Sequence, residues 1–327
     1  MRFIDAETVE RVLSYPMLVD VLSDMFRDGA IAPPRHHHTV PLDGRPDATL
    51  LLMPAITQRG TDAGGRAVAG PYMGMKAVTT FPDNGTRSGK PAVFGMYLLN
   101  TTETGETIAV IDATRLTVWR TAAASALAAR HLARSDASRM FMIGTGALAP
   151  YLIRAHASVR PIREIRIWNR DPAKAAARAE ALARDLRLDI RAEPDLESGC
   201  RWADTISTAT LSFTPLVQGR WLKPGTHVDC VGAFRKDMRE TDDDAVATAS
   251  VFCDTFPGAF GEAGDILQPI ASGRITREHV RADLASLVRG DHPGRSDPDE
   301  ITLFKSVGAS IEDLAAAVAV YDAVTTN

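Results

Sequence analysis

Much of what would place this 327-residue chain in a familiar class is missing from it. It has only three cysteines, Cys200, Cys230 and Cys253, with no close pairing and no metal-ligand spacing. They read as reduced thiols of a cytoplasmic protein, and Cys230 and Cys253 lie in apolar, strand-like runs suited to a core. There is no excess of positive charge. A formal charge of −4 without a concentrated basic stripe argues against a nucleic-acid partner. No apolar run approaches the roughly 18 residues of a membrane span. The opening Met-Arg-Phe-Ile-Asp-Ala-Glu lacks the apolar core of a secretory signal. No Ser-His-Asp set or paired-carboxylate arrangement stands out. The run Arg35-His36-His37-His38 invites a metal reading. Consecutive side chains of an extended strand point to opposite faces, so three adjacent histidines do not readily chelate one ion. No metal is expected, although one of these histidines could still touch a substrate.

What the chain does have is a strand, a glycine turn, a helix and a second strand in succession. Met140 to Ile143 are continuously apolar, as in a strand buried on both faces. Gly144-Thr145-Gly146-Ala147-Leu148-Ala149 then gives G-x-G-x-x-A. In that pattern the first glycine makes the tight turn and the second lets a pyrophosphate approach the backbone. The last small residue lets helix and strand pack closely. The free N–H groups and positive end of the following helix favour the phosphates. A lone G-x-G-x-x-A is weak, but its strand–turn–helix–strand context within about thirty residues points to dinucleotide binding. At the end of the second strand, where NAD sites usually carry an acid for the ribose 2′-hydroxyl, stand Asn169 and Arg170, with Lys174 a helical turn later. An amide and two cations suit a 2′-phosphate, so NADPH is expected, with NADH possible. Asp171 leaves an alternative open, since it could serve the 2′-hydroxyl instead.

From Arg139 onward strand and helix alternate. A helix is expected at 172–186 and a short one at 195–200. Strands are expected at 188–192, 203–210, 227–232 and 250–254. This is the pattern of a parallel, doubly wound sheet. Cofactors bind at the carboxyl ends of such strands, so Gly144, Thr208, Ala209, Thr210 and Gly232 to Phe234 should converge. The first 115 residues differ. A helix at 5–28 precedes strand-like runs at 49–53, 72–81, 92–100 and 107–112, with a hairpin connection at 100–105, so this region reads as mainly antiparallel. Thr117 to Ala133 is an alanine-rich helix. The C-terminal helix at 311–325 could fold back on the first region. Residues 289–300 read as an exposed, turn-rich loop.

Four cations sit in unusual settings. Arg35 follows two prolines, and Lys76 interrupts the apolar strand Met73 to Val78. Arg120 lies near the start of the alanine-rich helix, and Lys305 lies within Ile301 to Gly308. A cation in apolar surroundings needs a partner. An anionic ligand could be that partner, and Arg suits a carboxylate bidentately. Each also has a plainer reading, as a solvated strand-edge Lys or an Arg paired with an acid such as Asp112.

Taken together, these segments resemble the ornithine cyclodeaminase/μ-crystallin family over nearly the whole chain. The motifs come in family order: Leu52 to Ala55, Gly74 to Val78, Asn100 to Glu106, Leu116 to Ser125, the turn at Gly144, and Glu300 to Gly308 leading into Glu312-Asp313-Leu314. The resemblance implies an α/β chain in which a Rossmann-type doubly wound sheet (116–305) is inserted into a mainly antiparallel α+β domain. That domain (1–115 plus 306–327) would bind substrate and form a homodimer. It implies that Arg35, Lys76 and Arg120 hold a substrate carboxylate, with Lys76 a catalytic candidate. The cofactor set is expected to be Thr121, Gly144, Thr145, Gly146, Ala147, Leu148, Asn169, Arg170, Lys174, Thr208, Ala209, Thr210, Gly232, Lys305 and Ser306.

One departure separates subfamilies. The family's cyclodeaminases and alanine dehydrogenases carry an Asp two residues after the glycine that ends the fifth strand; here that place holds Phe234. A phenyl ring cannot accept a proton or anchor an ammonium, as cyclodeamination of a diamine requires. It can pack on an apolar ring. The plainer alternative is that Phe234 packs under its loop and Asp237 swings in. The pattern is similar to the family's ketimine reductases. The expected activity is NADPH-dependent reduction of Δ1-pyrroline-2-carboxylate or Δ1-piperideine-2-carboxylate, with Lys76 or a water as proton donor. The alternatives are ornithine or lysine cyclodeamination, alanine dehydrogenation, or a non-catalytic NADP(H)-dependent binding protein.

Overall fold

The computed structural model describes residues 1–58, 60–61, 67–68 and 70–326. In chain order, the elements begin with β1 (Arg2–Ile4), α1 (Ala6–Val12), α2 (Tyr15–Asp28), β2 (Ala30–Ile31), β3 (His36–Val40) and β4 (Ala48–Thr57). The short pair β5 (Gly60–Thr61) and β6 (Ala67–Val68) follows, then β7 (Tyr72–Thr80), α3 (Asn84–Ser88), β8 (Val93–Thr101), β9 (Thr107–Asp112) and α4 (Ala113–Leu132). Next come β10 (Arg139–Ile143), α5 (Ala149–Val159), β11 (Glu164–Trp168), α6 (Pro172–Leu186), β12 (Asp189–Ala192), α7 (Leu196–Trp202), β13 (Thr205–Thr208) and β14 (His227–Cys230). The chain ends with α8 (Asp243–Thr248), β15 (Ser250–Cys253), α9 (Phe256–Glu262), α10 (Gly264–Ala271), β16 (Val280–Asp283), α11 (Leu284–Arg289), β17 (Thr302–Lys305) and α12 (Ser310–Thr325). These elements form two compact units: Met1–Arg120 with the C-terminal segment from Ala309, and Thr121–Gly308.

In the first unit a sheet runs in the order β1-β9-β8-β7-β4-β2, with β3 also on β4. Its pairings are antiparallel except β1 on β9. Helices α2 and α12 pack on each other, and α12 lies on β4, β7 and β8. Leu18, Val19, Leu22, Met25 and Phe26 form the buried stripe of α2, each contributing about 1.5–3 kcal/mol by leaving water. The single helix expected at 5–28 is two helices. Pro16, at the first turn of α2, has no N–H to continue α1, so the chain turns at Leu13 and Ser14 and restarts. Helix α4 begins at Ala113, a turn earlier than expected, where Asp112 accepts the Arg115 N–H at 2.6 Å.

The second unit is an all-parallel sheet in the order β12-β11-β10-β13-β14-β17-β15-β16. Direction of winding reverses at β10, the strand that leads into the glycine turn. Its core includes Phe141, Ile143, Ile206, Val228, Val251 and Leu303, and all three cysteines are buried in it. Strands β16 and β17 were not anticipated. β17 inserts between β14 and β15, so Lys305 pairs in register with both Cys230 and Cys253. That long-range neighbourhood leaves no local sequence pattern. The architecture is therefore α/β, a doubly wound parallel sheet in one unit and a mainly antiparallel, helix-covered sheet in the other.

Candidate active site

In the Thr121–Gly308 unit, β10 ends at Gly144, whose φ of 116° suits only glycine. A Cβ there would also stand 2.8 Å from the Ala209 carbonyl oxygen. By contrast, a Cβ on Gly146 would meet nothing within 4 Å. The turn thus keeps open space beside its second glycine, and no side chain caps α5. Ala149 is fully buried, as close helix–strand packing requires. These features fit a dinucleotide pyrophosphate. Asn169 donates to the Thr145 hydroxyl at 2.9 Å, and its own oxygen accepts the Asp171 N–H at 2.8 Å. Asp171 caps α6 by accepting the Ala173 N–H at 3.0 Å, so that carboxylate already has work at the helix start. Gly144, Trp168, Asn169, Arg170, Thr210 and Leu211 line a cleft of 200 Å³.

Behind the ends of β13 and β14 lies a buried knot of charge. Glu240 accepts from the Thr208 hydroxyl (2.9 Å), from the Thr210 N–H and hydroxyl (2.7 Å each), and from the N–H groups of Gly232 (2.7 Å) and Ala233 (3.3 Å). Asp265 accepts the N–H groups of Glu240 and Thr241 and the Thr241 hydroxyl at 2.8–2.9 Å. The Lys305 ammonium stands 3.1 Å from Asp265. Burial works against that ammonium, but Asp265 and Glu240 outweigh it and raise its pKa. Burial, opposed by Lys305, raises that of Glu240. A parallel brace comes from Asp254, which accepts the N–H groups of Val307 and Gly308 at 2.8 and 2.7 Å.

The first unit holds a second buried cluster. Lys76, on β7, lies 2.8 Å from Asp313 on α12. Arg120, on α4, lies 2.5 Å from Glu312 and 3.0 Å from Asp313. All four side chains are buried. Desolvation is the main reason that Lys76 is pulled down to about 8; Asp313 resists this, while the charges of Arg120 and Arg35 add to it. Tyr97, the register partner of Lys76, is fully buried and its ring fills the space above Gly74, where a Cβ would come within 2.3 Å of the hydroxyl.

Residues 13–327 match the ornithine cyclodeaminase/mu-crystallin family. The chain belongs to that family. A Delta(1)-pyrroline-2-carboxylate reductase of Colwellia psychrerythraea is 33% identical over 328 residues, 98% of this chain and 99% of that one. A solved structure of Thermococcus litoralis Delta(1)-pyrroline-2-carboxylate reductase, in complex with NADH and L-proline, has a TM-score of 0.90 at 29% identity and covers 100% of this chain and 98% of that one. An archaeal alanine dehydrogenase dimer with bound NAD gives 0.88 at 29% identity, covering 100% and 96%. The family member described here is an oxidoreductase.

In this ornithine cyclodeaminase/mu-crystallin family member the expected residues fall into separate groups. Lys76 and Arg120 come together around Asp313, and Arg35, half-buried between β2 and β3, lies near enough to act on Lys76 by charge. Arg120 pairs with the C-terminal helix rather than with Asp112. The contiguous turn residues Thr145 to Leu148 lie between β10 and α5, with Asn169 beside them. Arg170 and Lys174 are exposed, and Thr121 is buried on α4. Thr208, Thr210 and Gly232 converge on Glu240, and the Ala209 N–H binds the Ile143 carbonyl. Lys305 is fully buried with its ammonium directed to Asp265, and Ser306 is buried beside it. Phe234 is 40% exposed. Asp237, the alternative acid, is exposed and bound to Arg235. His36 and His38 lie exposed on β3. The sequence reading assigned no site role to Glu240, Asp265, Glu312 or Asp313, although Glu312 and Asp313 stood in one of its family motifs. A signal for the last two was present: adjacent acids at the head of an otherwise apolar helix, needing cations once buried.

Proposed function

We propose that this oxidoreductase reduces cyclic ketimines with NADPH, and less well with NADH. Δ1-Pyrroline-2-carboxylate would yield L-proline, and Δ1-piperideine-2-carboxylate L-pipecolate. The observation that carries the reading is Lys76, a buried amine with a pKa lowered to about 8 beside a buried arginine. Such an amine is protonated at neutral pH yet releases its proton readily. Arg35, Lys76 and Arg120 would bind the substrate carboxylate, and Lys76 Nζ would give its proton to the imine nitrogen. That proton bonds through the nitrogen lone pair and makes the imine carbon electron-poor, so that on reduction the C=N π pair becomes the lone pair of the amine nitrogen. A reduced nicotinamide dinucleotide, held by the turn from Gly144 to Leu148 and by Asn169, Arg170 and Lys174, supplies the hydride when bound. Phe234 offers an apolar contact for the ring where a carboxylate would favour a second amine. A homodimer in the cytoplasm is the assembly and location we assign.

The test follows NADPH absorbance with purified protein and each imine, with NADH in parallel. We expect rapid oxidation, lost in Arg120→Ala and Lys76→Ala. No oxidation with either imine would overturn the reading and turn attention to ammonia release from ornithine with NAD.

A further inference from the structure

A second cleft, of 290 Å³, opens beside the glycine turn and is lined by Thr145, Lys174, Ala177, Arg178 and Ala181. Lys174 and Arg178 are four residues apart on α6 and share one face of that helix. The alanines at 177 and 181 leave the space between those long side chains and the turn unfilled. Arg178 is half-buried and donates to the Thr145 carbonyl at 3.0 Å. Among the described residues no carboxylate pairs with it. Arg170 stands at the neighbouring strand end, likewise without an acid partner among the described residues. Among the described residues the acid paired with this cluster is Asp171, which caps the helix and lies 4.0 Å from Lys174. Three cations therefore face one carboxylate in a chain whose formal charge is −4, so the cluster does not merely reflect a basic surface.

An Arg uses one of five N–H donors to hold a backbone carbonyl and keeps others for an anion. The pyrophosphate belongs at the start of α5, the helix that follows the turn. The cleft lies instead against α6, beyond the strand end that marks the ribose. A second anionic group of the same ligand is what fits there. The geometry points to Arg178, with Lys174, as the seat of the adenosine 2′-phosphate and the determinant of preference for NADPH over NADH. This rests on the dinucleotide reading of the turn.

The test measures dissociation constants of full-length protein for NADPH, NADH, 2′,5′-ADP and 5′-AMP in the wild type, Arg178→Gln, Arg178→Lys and Arg170→Gln. Loss of a charge-assisted pair predicts that Arg178→Gln weakens NADPH and 2′,5′-ADP on the order of 10- to 100-fold and leaves NADH and 5′-AMP within about twofold. Arg178→Lys should recover part of the loss, and salt should weaken wild-type NADPH binding more than NADH binding. Equal weakening of NADPH and NADH would show that Arg178 only shapes the turn and would overturn the inference. A preference that survives Arg178→Gln but disappears in Arg170→Gln would overturn it while leaving the NADPH reading standing. A wild type that binds both dinucleotides equally would end both.

Discussion

The two units each bury a cluster of opposite charges, and the clusters are built differently. In the dinucleotide unit the acids are tied to the backbone: Glu240 and Asp265 take backbone N–H groups and threonine hydroxyls, and only the Asp265 Oδ2–Lys305 Nζ ion pair lacks a hydrogen bond of good geometry among the described residues. In the other unit Lys76, Arg120, Glu312 and Asp313 hold one another side chain to side chain. There the second oxygen of Asp313 and the Tyr97 hydroxyl are buried without a hydrogen-bond partner among the described residues. A network tied to the backbone fixes loops. One made of side chains alone can exchange partners with an incoming carboxylate. On the function proposed above, the first cluster would serve stability and the second chemistry.

The largest effect should come from removing the Lys76 amine. Lys76→Ala should lower kcat/KM for imine reduction by about 10²–10⁴-fold, the range for general acid catalysis, measured by NADPH oxidation at pH 7. Lys305→Met should act on the other side of the contrast. It leaves Asp265 and Glu240 buried without a counter-charge, at a cost of about 3–5 kcal/mol in denaturant unfolding. A Lys305 variant that keeps its stability but loses turnover would reverse the assignment.

Next in size is the pH response, in which the two lysines have opposite signs. Lys76 has its folded pKa lowered to about 8 from 10.5, so its buried ammonium costs stability below pH 8 and that cost is relieved between pH 8 and 10.5. Lys305, raised above 10.5, contributes stability that is present below 10.5 and lost as pH rises through its folded value. Unfolding of wild type and Lys76→Met from pH 7 to 10 should show a rise with pH that only the wild type has. In the same window kcat/KM for reduction should fall above pH 8 as the donor proton is lost, whereas a flat profile from pH 5 to 9 would contradict a proton from Lys76.

Smaller effects refine the picture. Gly74→Ala forces a methyl against the Tyr97 ring and should cost about 1–3 kcal/mol by overpacking, read as a lower denaturation midpoint. Phe234→Asp, at a half-exposed position, should change stability by less than about 0.5 kcal/mol. It should slow imine reduction without abolishing dinucleotide binding. An unchanged rate would show that the ring has no part in recognising substrate.

The glycine turn, the alternating strands and helices of the parallel sheet, and the family's motifs were legible because each rests on local physics. Gly144 needs its backbone freedom, Met140 to Ile143 must be buried on both faces, and α6 starts where Asp171 can cap it. The sequence also flagged Lys76 and Arg120 as cations in apolar settings. It could not name their partners, because Glu312 stands 192 residues from Arg120 and Asp313 237 residues from Lys76, and they meet only when α12 folds onto the first sheet. Nor did it place Lys305, since β17 slips between strands far from it in the chain. Local pattern fixes which segments are strand, turn or helix. Which charges share one desolvated space depends on topology alone, and burial there, more than residue type, lowers the pKa of Lys76 while the acids around Lys305 raise its own.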